Sequence, residues 1–217
     1  ATAIINGGTK DLYKFKVTAP SQGPVNVKQF KLAVNWSDGG GNNDTLEVES
    51  LKLLKDGVDI TSSVTIVEED TGATATSTNG ISESTSQVIV TWSGSTEDSV
   101  PAGTSTTYLL TGVPQGFNTT ATVSTASATD SVSFGFTRDS GYNYINVGTT
   151  LTGILKLYSS ASANASASNA NLIWSDESAV AHSASTTAGT GDWSNSYLFN
   201  VIGTQDHTNY YCMSPLL

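Results

Sequence analysis

Apolar and polar residues alternate with a period of two along most of this chain. Tyr13, Phe15 and Val17 fall on one face of a strand, with Lys14 and Lys16 on the other. The same alternation runs for seven residues in Phe30-Lys31-Leu32-Ala33-Val34-Asn35-Trp36. Val88, Val90 and Trp92 alternate with Ile89 and Thr91, and Val132, Phe134 and Phe136 with Ser133 and Gly135. Shorter strands are expected at Leu46–Val48, Val64–Ile66, Thr107–Leu110, Ala121–Val123, Leu151–Leu157 and Tyr197–Val201. Turn-forming runs separate them: 38–43, Asp56-Gly57, Asn79-Gly80, Pro101-Ala102-Gly103 and Pro114-Gln115-Gly116. No stretch carries the 3.6-residue period of a helix. The pattern predicts an all-β, immunoglobulin-like or jelly-roll-like antiparallel sandwich with long polar loops.

Two segments interrupt the alternation. Residues 71–86 are polar, with Ile81 as their one large apolar residue, and are expected to form a long surface loop. Residues 159–170 form a Ser/Ala/Asn-rich tract, expected to be a loop or linker. The chain beyond this tract is too short for a core of its own, so residues 9–217 are read as one sandwich, closed by a strand near 197–202. Residues 1–8 stand apart as an N-terminal extension. Ile4 and Ile5 are strand-forming, and Gly7 and Gly8 supply a hinge. Such an extension can add a strand to a neighbouring copy, or serve as the first strand of its own sandwich.

Composition narrows the function. Of 217 residues, 61 are Ser or Thr, and 13% are charged against about 25% in an ordinary soluble domain. The surface is therefore solvated by hydroxyls and amides. A net charge of −10 argues against nucleic acid. That charge is uneven: residues 1–56 hold seven lysines against six acids, and the remainder has only Lys156 and Arg138 against thirteen acids. A solvated acidic surface accounts for this, as does head-to-tail attraction between copies. The single cysteine, Cys212, excludes an internal disulfide and could pair between chains. No apolar run is long enough to span a bilayer. The opening Ala1-Thr2-Ala3 without Met is what a processed exported protein or a fragment shows.

Candidate chemistry is sparse. His182 and His207 are the two histidines, both in polar surroundings, and no G-x-S-x-G elbow accompanies them. No catalytic residues or bound cofactor are expected, with calcium as the one possible exception. Asp38, Asn42, Asn43 and Asp44 offer oxygen ligands for it, although the same residues suit a plain hairpin loop. Asn35, Asn43, Asn118 and Asn164 stand in N-glycosylation sequons. Trp36 and Trp92 end apolar alternations and belong to the core. Trp174 and Trp193 lie among Ser, Asp and Asn, where they could stack on sugars or pack at the rim.

Several phrases occur together: 11–19 (DLYKFKVTA), 100–105 (VPAGTS) before 108–112 (YLLTG), and 171–176 (NLIWSD) followed by His182-Ser183 and 192–198 (DWSNSYL). In these the chain resembles the large extracellular β-sandwich modules of surface proteins from candidate-phyla (Patescibacteria-like) bacteria. The resemblance implies an immunoglobulin-like sandwich at the cell surface without enzymatic activity. The expected function is a structural subunit of an extracellular filament or surface layer, partnered by other copies of itself. The alternative is a carbohydrate-binding or adhesive module whose partners are glycans.

Overall fold

A computed structural model describes residues 6–38, 45–78, 80–117, 130–136, 155, 157–159, 169–186 and 188–195. Among these, half lie in strands and none in an α-helix. The strands are β1 (Lys10–Thr18), β2 (Val25–Ser37), β3 (Glu47–Lys55), β4 (Val58–Asp59), β5 (Val64–Glu68), β6 (Ile81–Ser82) and β7 (Gln87–Trp92). They continue with β8 (Asp98–Val100), β9 (Ser105–Gln115), β10 (Ser131–Gly135), β11 (Leu172–Ser175) and β12 (Trp193–Asn195). Every pairing is antiparallel.

Two sheets result. One has the order β1-β9-β3-β4, with β6 also on β3; the other runs β12-β11-β2-β7-β5, with β8 and β10 also on β2. The alternating residues meet between them. Phe15, Leu53, Tyr108 and Leu110 from the first sheet pack on Val27, Phe30, Leu32, Val34, Ile66, Val88, Val90 and Trp92 from the second. An aromatic nest forms the centre: the Phe15 ring lies 5.0 Å from those of Phe30, Tyr108 and Phe136. Trp36, expected in the core, is half-buried and stacks on Phe117 at 6.2 Å. The all-β sandwich read from alternation is thus the observed architecture.

The polar stretch after Thr71 is not a plain surface loop. Ala75 and Ile81 are fully buried, Ile81 in β6, and Ala75 N donates to Ile66 O alongside β5. Its Ser and Thr residues hide two apolar anchors that a hydropathy pattern dilutes.

The second sheet carries a further layer on its other face. Leu155, Leu157, Ala170, Ile173, Ala184 and Trp193 form a separate buried cluster. Gln29 fastens this cover to β2: its Nε2 donates to Ala170 O at 2.7 Å, and its Oε1 accepts from Tyr158 N at 2.8 Å and Thr91 Oγ1 at 3.1 Å. Lys31, which alternation places on a solvated face, is consequently 4% exposed. The expected strands at 121–123 and 197–202, and most of 151–157, lie outside the described residues. From the C-terminal region, β11 pairs with β2 and β12 with β11.

Candidate functional site

A polar cluster outside the sandwich core joins five residues from four parts of the chain. Asn26 comes from β2, Glu97 from the turn between β7 and β8, Glu177 and His182 from the segment after β11, and Asp192 from the residue before β12. The chain reaches this point through tight local turns. Glu177 and Ala181 adopt left-handed backbone angles (φ 52° and 64°), and Ser178 N donates to Asp176 Oδ1 in an Asx turn. Trp193 then pins the returning segment, its indole N–H donating to Ser183 O at 2.8 Å.

His182 is held at both ring nitrogens. Nδ1 lies 2.7 Å from Asp192 Oδ2 and Nε2 lies 3.3 Å from Glu97 Oε2. Burial works against the charged ring, but the hydrogen bond and charge of Asp192, joined by those of Glu97, outweigh it and raise the His182 pKa. Burial pushes the Asp192 carboxyl the other way, yet hydrogen bonds from Thr190, His182 and Ser175 leave its pKa below the usual carboxylate value. Asn26 Nδ2 donates to Glu177 Oε1 at 2.6 Å and faces Glu97 Oε1 and His182 Nε2, each at 3.3 Å. Its Oδ1 is buried without a hydrogen-bond partner among the described residues.

Two chemistries can be compared on this geometry. Ser175 Oγ donates to Asp192 Oδ2 at 3.0 Å, so the carboxylate sits between serine and histidine. Nucleophilic catalysis of the triad kind needs the imidazole on the hydroxyl, and here the hydroxyl of Ser175 meets the Asp192 carboxylate instead. For a cation, Glu97, Glu177 and His182 each offer an atom within 4.8 Å of the others. Asp192 would orient the ring from behind, as carboxylates do for metal-bound histidines. The proton that binds His182 competes for the same nitrogen.

Lys28 lies beside this cluster. The chain leaves the flank of β2 between Trp92 and Asp98, and Lys28 fills the gap, donating to Gly94 O at 2.8 Å and to Thr96 O. Burial lowers its pKa from 10.5 to about 8, partly offset by Glu97. Between those values the unfolded chain holds a proton that the folded chain has lost, so stability rises with pH across the interval. Urea unfolding of Lys28→Met is expected to show a flatter slope between pH 8 and 10 than the parent. Parallel curves would contradict this account.

The residues singled out in the sequence are distributed elsewhere. Asp38 is exposed, while Asn42, Asn43 and Asp44 lie outside the described residues. Asn35 is exposed at the end of β2, a position compatible with a glycan; Asn118 and Asn164 are outside the described residues, as are Cys212 and His207. Trp193 is fully buried in the second cluster and has no face to offer a sugar, and Trp174 is half-buried. Ile4 and Ile5 are outside the described residues. Gly7 N donates to Pro114 O at 2.8 Å, and Asn6 clamps Phe117 through both of its amide atoms, Nδ2 to Phe117 O and Oδ1 to Phe117 N. Asn6–Gly8 thus lie along this chain's own β9. No helix among the described residues is long and apolar enough to cross a membrane. Comparison with protein-family models, curated proteins and solved structures finds no match for the chain.

Proposed function

We propose that this chain is a structural subunit of an extracellular assembly, a filament or surface layer, in which copies meet through the edge of β1. The observation that carries this reading is the character of that strand. Among the described residues β1 ends its sheet; it runs for nine residues and exposes Lys14 and Lys16 on a chain whose remainder is strongly acidic. A terminal strand presents main-chain groups to a neighbour. Its lysines favour an acidic partner surface, and the complement lies on every other copy of the same chain. Docking of Asn6–Gly8 on β9 supports the extension as part of its own sandwich, which moves the proposed contact from a donated N-terminus to β1.

The polar, hydroxyl-rich surface and the resemblance to bacterial surface modules support an extracellular setting. Negative-stain microscopy and sedimentation across a concentration series provide the test. Polymers are expected at low ionic strength and fewer at high, because exposed charges are screened within about 10 Å at 0.1 M salt. The Lys14→Glu, Lys16→Glu double variant is expected to remain monomeric with an unchanged melting temperature. A parent chain that stays monomeric at every concentration and salt would overturn the proposal.

A further inference from the structure

The cover over the second sheet buries three groups whose chemistry is complementary. Lys31, Glu69 and Asn169 are 4%, 2% and 3% exposed. Lys31 Nζ is 3.1 Å from each carboxylate oxygen of Glu69 and donates to the main-chain O of Asn169 at 2.8 Å. The side-chain amide nitrogen of Asn169 donates to Glu69 Oε1 at 3.1 Å, and its main-chain N–H reaches the same oxygen at 3.3 Å. One carboxylate oxygen therefore gathers an amine and a carboxamide nitrogen, each 3.1 Å away, inside a site closed to water. Around them, Ile89 faces Lys31 across the β2–β7 pair, and Val67 and Ala170 are buried nearby in sequence.

An ion pair in such a place is a weak source of stability, because removing both charges from water offsets their attraction. The arrangement does suit a reaction that abolishes the charge. We propose that Lys31 and Asn169 become joined by an intramolecular isopeptide bond, with Glu69 as the proton carrier. The lysine ammonium gives a proton to Glu69, and the neutral amine attacks Cγ of Asn169. Glu69, touching both nitrogens, relays a proton from the attacking nitrogen to the departing one. The Nζ–Cγ bond forms, the Cγ–Nδ2 bond breaks, and Nδ2 leaves as ammonia. Atoms and electrons balance without an oxidant, reductant or added reactant. The product ties the middle of β2 to the strand-leading segment of β11, fastening the cover to the sandwich. It requires one chain only and is independent of whether copies assemble.

Intact-mass measurement of the folded full chain tests this directly. The expected mass is one ammonia below that of the sequence, with a proteolytic peptide pair linked through Lys31 and Asn169. Lys31→Arg and Glu69→Gln are expected to restore the full sequence mass, with folding checked by circular dichroism. In Asn169→Asp the leaving group changes, so the expected deficit is one water. The folded parent at its full sequence mass would overturn the proposal. So would a deficit that persists in Lys31→Arg, or a link that fragmentation places at other residues.

Discussion

Replacing Phe30 with alanine is expected to lower the unfolding free energy by about 3–5 kcal/mol, the range for deleting a buried aromatic ring. Phe30 is fully buried at the meeting point of the two sheets. Its ring lies 5.0 Å from Phe15 in an edge-to-face pair, and 6.1 to 6.3 Å from Trp92, Phe136 and Tyr108. Those neighbours belong to β1, β7, β9 and the residue after β10, so they cannot collapse together without moving both sheets. The cavity therefore persists, and its cost adds to the lost transfer energy. Tyr108 raises the stakes further. Burial, and then its hydrogen bond to Asp98, hold its hydroxyl far above the ordinary tyrosine pKa, and Lys55 closes on the same Asp98 at 2.6 Å. A cavity that admits water beside Tyr108 loosens this group as well. Urea unfolding provides the measurement, with Val58→Ala as a control; Val58 is 64% exposed and its loss is expected to change stability by less than about 0.5 kcal/mol. A Phe30→Ala cost under about 1 kcal/mol would mean that the nest is not the anchor between the sheets.

The residues of that nest are legible in the sequence because one physical rule places them. Phe15, Phe30, Val88, Val90 and Trp92 occupy alternate positions, and burying one face of a strand requires no more than that. The opposite face is misread for the same reason. Alternation assigns Lys31 and Gln29 to the outer side of β2, and a period of two cannot tell an outer face that meets water from one covered by chain from much later in the sequence. The covering segment gives little hydropathic warning, since Ala170 and Asn169 close a Ser/Ala/Asn tract. Two signals do exist: Ile89 and Val67 are large apolar residues on positions that alternation gives to solvent, and both are buried. Trp193 shows the converse. Its polar sequence neighbours suggest exposure, but Ser194 and Asn195 are themselves buried and the indole is enclosed with them. The His182 cluster is not legible at all, because Asn26, Glu97, Glu177 and Asp192 converge only through sheet pairing and turns.

That convergence sets the other large expected effect. Asp192→Asn is expected to cost about 3 kcal/mol near pH 5, at the upper end for hydrogen bonds to a buried charge. The substitution keeps the shape and removes the charge from a carboxylate that accepts from Ser175 Oγ, His182 Nδ1, Ala179 N and Thr190 Oγ1. An amide nitrogen in place of one oxygen opposes donors where an acceptor is required. The pH dependence identifies the cause. The His182 pKa is raised in the folded chain, so its contribution is complete below the unfolded value of 6.5 and fades as pH climbs through the folded value. The Asp192 pKa is lowered, so its contribution is complete above 3.8 and fades as pH falls through its folded value. Both act together between about pH 3.8 and 6.5, where the gap between parent and variant is expected to be widest. Above that window the gap narrows as the parent loses the His182 proton, while the lost Ser175 and Ala179 hydrogen bonds keep it from closing. A His182→Gln variant is expected to flatten the alkaline limb and to weaken the acidic one only in part, because Thr190 and Ser175 still hydrogen-bond Asp192. Were the Asp192→Asn cost the same at about pH 5 and about pH 9, the histidine would be a bystander and the carboxylate a hydrogen-bond acceptor alone.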